Sequence, residues 1–222
     1  MKGLLLTMTE PPPAMEEEFN AWYDTEHLPE RLAIPGFESA RRWIDPAAAP
    51  GSGKYLATYE LANLQVLNTP EYLAHVGDGF TPWSRRCLSR CLLFRRWACR
   101  QILPGDAVPD PKAQALFLAC GDVPAEHDTE FNRWYDTEHI PLLKAVPGVL
   151  GARRFFDAQG TPRYVTLYEL ADAGVPASAA WQAALETEWA KRIDAITEDC
   201  DWTLKAYIAY SADAAVKNHN NR

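Results

Sequence analysis

Residues 19–29 read FNAWYDTEHLP, and residues 131–141 read FNRWYDTEHIP. The segments differ at two positions and stand 112 residues apart, aligning Phe19 with Phe131, Trp22 with Trp134, Tyr23 with Tyr135, Glu26 with Glu138 and His27 with His139. The match runs on through Pro35-Gly36 and Pro147-Gly148 to Arg41-Arg42 and Arg153-Arg154. After a three-residue contraction it resumes as KYLATYEL (54–61) against RYVTLYEL (163–170). Self-similarity of this length marks a tandem duplication. The 222-residue chain therefore divides into a first repeat over 1–104, a linker over 105–112, a second repeat over 113–212 and a tail over 213–222. The junction LPGDAVPDPK (103–112) has the Pro and Asp content of a linker.

Each repeat shows the same order of elements. A short apolar run (3–9; 113–119) reads as a strand, and the motif, opened by acidic residues, reads as a helix. Pro-Gly breaks the chain, and two strand-like runs follow: FESARRWI and YLATYEL in the first copy, VLGARRFF and YVTLYEL in the second. A second helix is expected as one piece over 178–196 and as an interrupted one, broken at Gly77 and Gly79, in the first copy. LLFRRWACR and WTLKAYIAY close the repeats as strands. The fold class is α+β: two tandem ferredoxin-like βαββαβ units. Such a unit covers one sheet face with helices, yet both alternating faces of YLATYEL are mostly apolar. The expectation is that the two sheets pack face to face within the chain.

Composition narrows the function. A net charge of −8 argues against a phosphate-binding surface, so no nucleic-acid partner is expected. The apolar stretch near the start, followed by PPP, is too short for a signal peptide, and no window reaches the roughly 18 apolar residues of a membrane span. The chain reads as soluble and cytoplasmic, with no membrane partner. The five cysteines show no metal-ligand spacing, so they read as reduced thiols and no metal site is expected. Cys87 and Cys91, four residues apart, are weak nucleophile candidates. Nucleotide-binding, nucleophile-elbow and zincin motifs are all missing from the sequence.

On a regular helix the motif places Trp22, Tyr23 and Phe19 on one face, with Glu26 among them and His27 at the margin. His27 and His139 are the natural acid/base candidates, with an ordinary pKa of about 6.5. Glu26 and Glu138 are expected to be partly desolvated unless paired, and the arginine pairs Arg41-Arg42 and Arg153-Arg154 are the candidate partners. Two roles stand open for Glu and His: tying helix to sheet, or lining a pocket. The arginines likewise suit either a solvated strand edge or a pocket.

The run F-N-x-W-Y-D-T-E-H-[LI]-P, followed by P-G and A-R-R, resembles the EthD-like families of the dimeric α+β barrel superfamily. The resemblance covers most of the chain and implies an intrachain dimeric α+β barrel, a monomeric pseudo-dimer or a homodimer of such chains. It implies a cleft in each half, in which His27 and His139 move a proton assisted by Tyr23, Tyr135, Glu26 and Glu138. Trp22, Trp134, Tyr59, Tyr168 and the arginines 41, 42, 153 and 154 would bind substrate. The partner would be a small anionic or aromatic-derived molecule, with no cofactor; haem ligation by a motif histidine is compatible with the superfamily, and nothing in the sequence calls for it. The leading expectation is a cofactor-independent catabolic isomerase, or an ester or lactone hydrolase, acting on an unsaturated or aromatic-derived acid. The alternatives are a cofactor-free or haem-dependent monooxygenase and a non-catalytic small-molecule-binding or stress protein. The copies differ at Glu30-Arg31, where the second has Leu142-Leu143, and in the arginines of 85–100. The halves need not be equally active.

Overall fold

Gly3–Glu10 forms β1, whose eight residues are all buried. In the computed structural model, which describes residues 1–211, β1 is flanked on both sides. It pairs antiparallel with β3 (Tyr55–Leu61) and with β4 (Leu93–Leu103), while β2 (Phe37–Ile44) lies outside β3. The order β4-β1-β3-β2 is that of the expected βαββαβ unit. The second unit repeats it: β5 (Ala115–Gly121) lies between β7 (Tyr164–Leu170) and β8 (Thr203–Ala209), with β6 (Val149–Phe156) outside β7. Among the described residues, one unit comprises Met1–Arg100 and 209–211; the other is Gln101–Ile208. The division falls inside β4, a few residues before the expected linker. The expected tail, 213–222, lies outside the described residues.

Local chemistry accounts for the helices. Between β1 and β2, α1 (Glu16–Trp22) carries Glu16, Glu17 and Glu18 in its first turn, where the helix dipole favours negative charge. The short α2 (Leu28–Leu32) has proline in its first turn, where no hydrogen bond is lost. Gly36, with φ +93°, then turns the chain; a Cβ there would lie 2.5 Å from a methyl of Val66. In the first unit the second helical stretch is interrupted as expected, giving α3 (Pro70–Leu73) and α4 (Pro82–Arg90), capped by the Thr69 and Thr81 side chains. The second unit has α5 (Asp128–Trp134) and α6 (Ile140–Lys144) at the motif.

The single helix expected over 178–196 is corrected. It is two helices, α7 (Ala179–Leu185) and α8 (Glu188–Ile196). Thr187 makes the break: its hydroxyl accepts from the Ala190 N–H as a cap and donates to Glu138 at 2.5 Å. A side chain that satisfies both groups outweighs two more residues of helix.

Strand alternation sorts the side chains. Leu5, Thr7 and Thr9 of β1 share a face with Tyr59 of β3, because Leu5 opposes Tyr59 in register. Leu4, Leu6 and Met8 point the other way, and they too are almost fully buried. All seven residues of β3 and all seven of β7 are buried, so each of these strands is covered on both faces. No helix among the described residues is long and apolar enough to cross a membrane.

Candidate functional site

The motif does not form a regular α-helix. Tyr23–His27 and Tyr135–His139 are each a π turn, in which the N–H of Leu28 reaches back five residues to the Tyr23 carbonyl and that of Ile140 to Tyr135. The regular helical wheel sets Trp22 and His27 about 140° apart; the wider turn brings their rings together. Their centroids lie 4.6 Å apart, and those of Trp134 and His139 lie 4.2 Å apart. Each histidine also meets its tyrosine edge-on, at 5.0 Å in the first unit and 4.7 Å in the second. Inserted turns of this kind recur at functional sites because they re-aim one side chain.

In the first unit this ring cluster borders a cavity of 430 Å³. Its polar wall is Thr7, Thr9, Tyr23, His27, Arg31 and Tyr59, and Leu5, Tyr72, Val76, Phe80, Leu88, Phe94 and Arg96 complete it. The size suits a small organic molecule. Tyr23 and Tyr59 hydroxyls are hydrogen-bonded at 2.7 Å, and Thr7 lies 3.3 Å from Tyr23. Burial pushes the pKa of both phenols up, so both hold their protons. His27 is buried with its Nδ1 unpartnered. Desolvation, then the charges of Arg31 and Arg42, push its pKa down to about 3. At neutral pH it is an uncharged imidazole, a proton acceptor rather than a donor.

Glu26 and the arginines take other places. The Glu26 carboxylate accepts from Trp22 Nε1 (3.2 Å), Thr81 Oγ1 (2.5 Å) and Ser84 Oγ (3.2 Å), which ties the motif to the cap of α4. Glu138 accepts from Trp134 Nε1 and Thr187 in the same way. The arginines expected as their partners are bound elsewhere. Arg42 donates to Asp24 and Asn20 and lies over the Tyr23 and Tyr210 rings, at 4.4 and 4.0 Å. Arg154 repeats this with Asp136, Asn132 and the Tyr135 ring. Alternation sends Arg41 and Arg153 to the opposite sheet face. There Arg41 lies over the Trp43 ring, and Arg153 forms a buried ion pair with Glu169 at 2.7 Å. None of these four arginines, nor Trp22, lines the cavity. Trp22 is instead the fully buried backing of His27.

Among the cavity residues not singled out from the motif are Arg31, Thr7 and Tyr72. Arg31 had a signal: it follows His27 by four residues and is replaced by Leu143 in the second copy. Tyr72 reaches the site from α3, where nothing in the repeat marks it.

In the second unit the same positions form core. Trp181 lies 5.3 Å from Tyr168 and 5.4 Å from Phe117, with Leu143 and Ile193 in the same cluster. Phe117 and Ala119 stand where the first unit has Leu5 and Thr7. Tyr168 Oη is buried without a partner. His139, desolvated and near Arg154, is also pushed down to about 3.

Cys87 and Cys91 are poor nucleophiles, since burial holds their thiols up at about 12 and about 11. The residues do not fit a haem either. A ligating histidine is normally oriented by an acceptor for its second ring nitrogen. Nδ1 of both His27 and His139 is buried with no such acceptor, and both rings pack at a tilt against tryptophan.

No family model and no curated protein matches the chain. Solved structures do. A chlorite dismutase variant from Candidatus Nitrospira defluvii in complex with cyanide aligns over 98% of this chain and 94% of its own, with 8% identity and a TM-score of 0.63. An anthrone oxidase-like protein aligns over 95% and 91%, with 12% identity and a TM-score of 0.58. A putative monooxygenase from Lactobacillus acidophilus aligns over 95% and 99%, with 11% identity and a TM-score of 0.55. At these identities the likeness is one of fold, and it places the chain among ferredoxin-like α+β proteins that include monooxygenase-like and chlorite dismutase-like structures.

Proposed function

We propose that the first unit is a cofactor-independent oxygenase site for a small, acidic aromatic molecule, and that the second unit is its structural counterpart. The observation that carries this is the uncharged, desolvated His27 in an otherwise mostly apolar cavity beside the Tyr23–Tyr59 pair. The isomerase and hydrolase expectations fit less well. An isomerase could use the same base, but none of the neighbours named above is described as one, and a hydrolase needs an oriented water in a polar site. Neighbours of the same fold described as monooxygenases support the oxygenase reading. The resemblance of both motif copies to the EthD-like families favours reading the chain as a fused duplication.

In this reading His27 removes a proton from an activated CH₂ group, and Tyr23 and Tyr59 donate hydrogen bonds to the charge that develops. The carbanion gives electrons to O₂, forming a C–O bond. His27 protonates the resulting peroxide. It then takes the second C–H proton as the O–O bond breaks and passes it to the departing hydroxide. The CH₂ group becomes a carbonyl, and the other oxygen atom leaves as water. Phe80, Leu88 and Phe94 give the cavity an apolar side.

Oxygen uptake by the purified chain, treated with a chelator and supplied with a carboxylated anthrone, tests the proposal. The wild type and His139→Ala should consume oxygen and form the quinone, and a folded His27→Ala should not. Equal uptake by wild type and His27→Ala overturns it.

A further inference from the structure

Arg31 is 3% exposed, although arginine is normally a surface residue. It follows His27 by four residues, which puts both on one side of the motif helix. Its Nη2 donates to the His75 carbonyl at 2.8 Å, and its guanidinium lies 5.5 Å from the Tyr72 ring centroid. Nη1 is buried and has no partner. No residue lining the cavity is acidic. Glu30, next in sequence, lies instead 4.0 Å from the His75 ring. The second lining cation, Arg96, is exposed and sits 3.3 Å from the Tyr72 hydroxyl.

A desolvated cation with an open donor and no counterion is costly, and the fold does not require it. Leu143 occupies the matching position of the second unit and is 1% exposed in the core. The rest of the cavity offers planar ring surface from Tyr59, Tyr72, Phe80 and Phe94.

From this geometry we infer that Arg31 is the specificity-determining residue of the cavity, anchoring the carboxylate of a planar aromatic acid against those rings. A carboxylate matches the fork of a guanidinium. Its single charge matches the single buried cation. Pairing would also screen the charge that acts on His27 and make that imidazole a stronger base once the acid is bound. The inference rests on the oxygenase reading of the same cavity and names its substrate class.

Titration calorimetry with 2-naphthoate, 2-naphthamide and naphthyl phosphate separates the possibilities without turnover. The wild-type chain should bind the carboxylate at least about tenfold more tightly than the amide or the phosphate. Arg31→Leu, which copies Leu143, should lose that preference. Arg31→Lys should keep part of it, and Arg86→Leu on the surface should change nothing. Unfolding curves accompany each variant. Equal binding of acid and amide, tighter binding of the phosphate, no binding of the acid, or undiminished preference in a folded Arg31→Leu each overturns the inference. If Arg31→Leu fails to fold, Arg31→Lys and the wild-type ligand series decide. Naphthoate binding that survives while oxygen uptake is absent overturns only the oxygenase reading.

Discussion

Trp22 and His27, five positions apart, meet ring against ring at 4.6 Å with a 37° tilt, and the π turn between them is what allows it. The same tilted contact recurs between Trp134 and His139. The ring that could move a proton is thus backed by a fully buried indole. That indole is in turn held by Glu26 and Ser84.

Glu26 acts through this clamp. Glu26→Ala leaves the Thr81 and Ser84 hydroxyls short of an acceptor, while Trp22 Nε1 keeps only Ser84, and each buried group so orphaned costs about 1–3 kcal/mol. Urea unfolding should show a loss of about 2–4 kcal/mol. Activity per folded molecule should persist under conditions where the variant remains native. Full stability with abolished turnover would instead make Glu26 a reacting group.

Acid should weaken the protein through its two motif histidines. Both are held at about 3 in the folded chain, against about 6.5 when unfolded. Below pH 6.5 the unfolded chain takes up protons that the folded chain refuses. Their contribution is therefore complete above pH 6.5 and is lost as the pH falls from 6.5 to 3. The slope is up to about 1.4 kcal/mol per pH unit for each histidine. Unfolding midpoints measured across that range should flatten in a His27→Gln, His139→Gln double variant; an unchanged slope refutes the assignment.

Arg153 and Glu169 are each 3% exposed in their side chains and bonded at 2.7 Å. Arg153→Met alone should cost about 3–5 kcal/mol by leaving a buried carboxylate without its main cation. Adding Glu169→Leu should restore most of that loss in a double-mutant cycle, because the two costs are not additive. Additive losses would show that the neighbours of each residue matter more than the pair.

Trp181 fills in the second unit the kind of space that is open in the first. Trp181→Ala should cost about 3–5 kcal/mol. It should open an apolar hole without conferring preference for aromatic acids, because Leu143 stands where Arg31 would be. Calorimetry with 2-naphthoate on an Arg31→Leu, Trp181→Ala chain reads this directly; restored preference for the acid over the amide would contradict it.

Much of the molecule was legible before any coordinates. The near-identity of residues 19–29 and 131–141 implied two units of one design. The mostly apolar YLATYEL and YVTLYEL segments implied strands buried on both faces, and Arg31 against Leu143 already hinted that the halves differ. Period-two alternation could have separated Arg42 from Arg41 without a structure, since adjacent strand residues face opposite ways.

Other features depended on distant partners. The YDTEH segment has no local signal for a π turn; its rings gain their contacts only when α4 and the sheet close around them. Thr187 breaks its helix because Glu138, 49 residues away, accepts its proton. Local pattern sets which residues can be buried, because periodicity is written in neighbouring positions. Which buried polar atoms find partners, and that Nη1 of Arg31 finds none, depends on chain brought together from β1, α3 and the motif, and only the tertiary structure decides it.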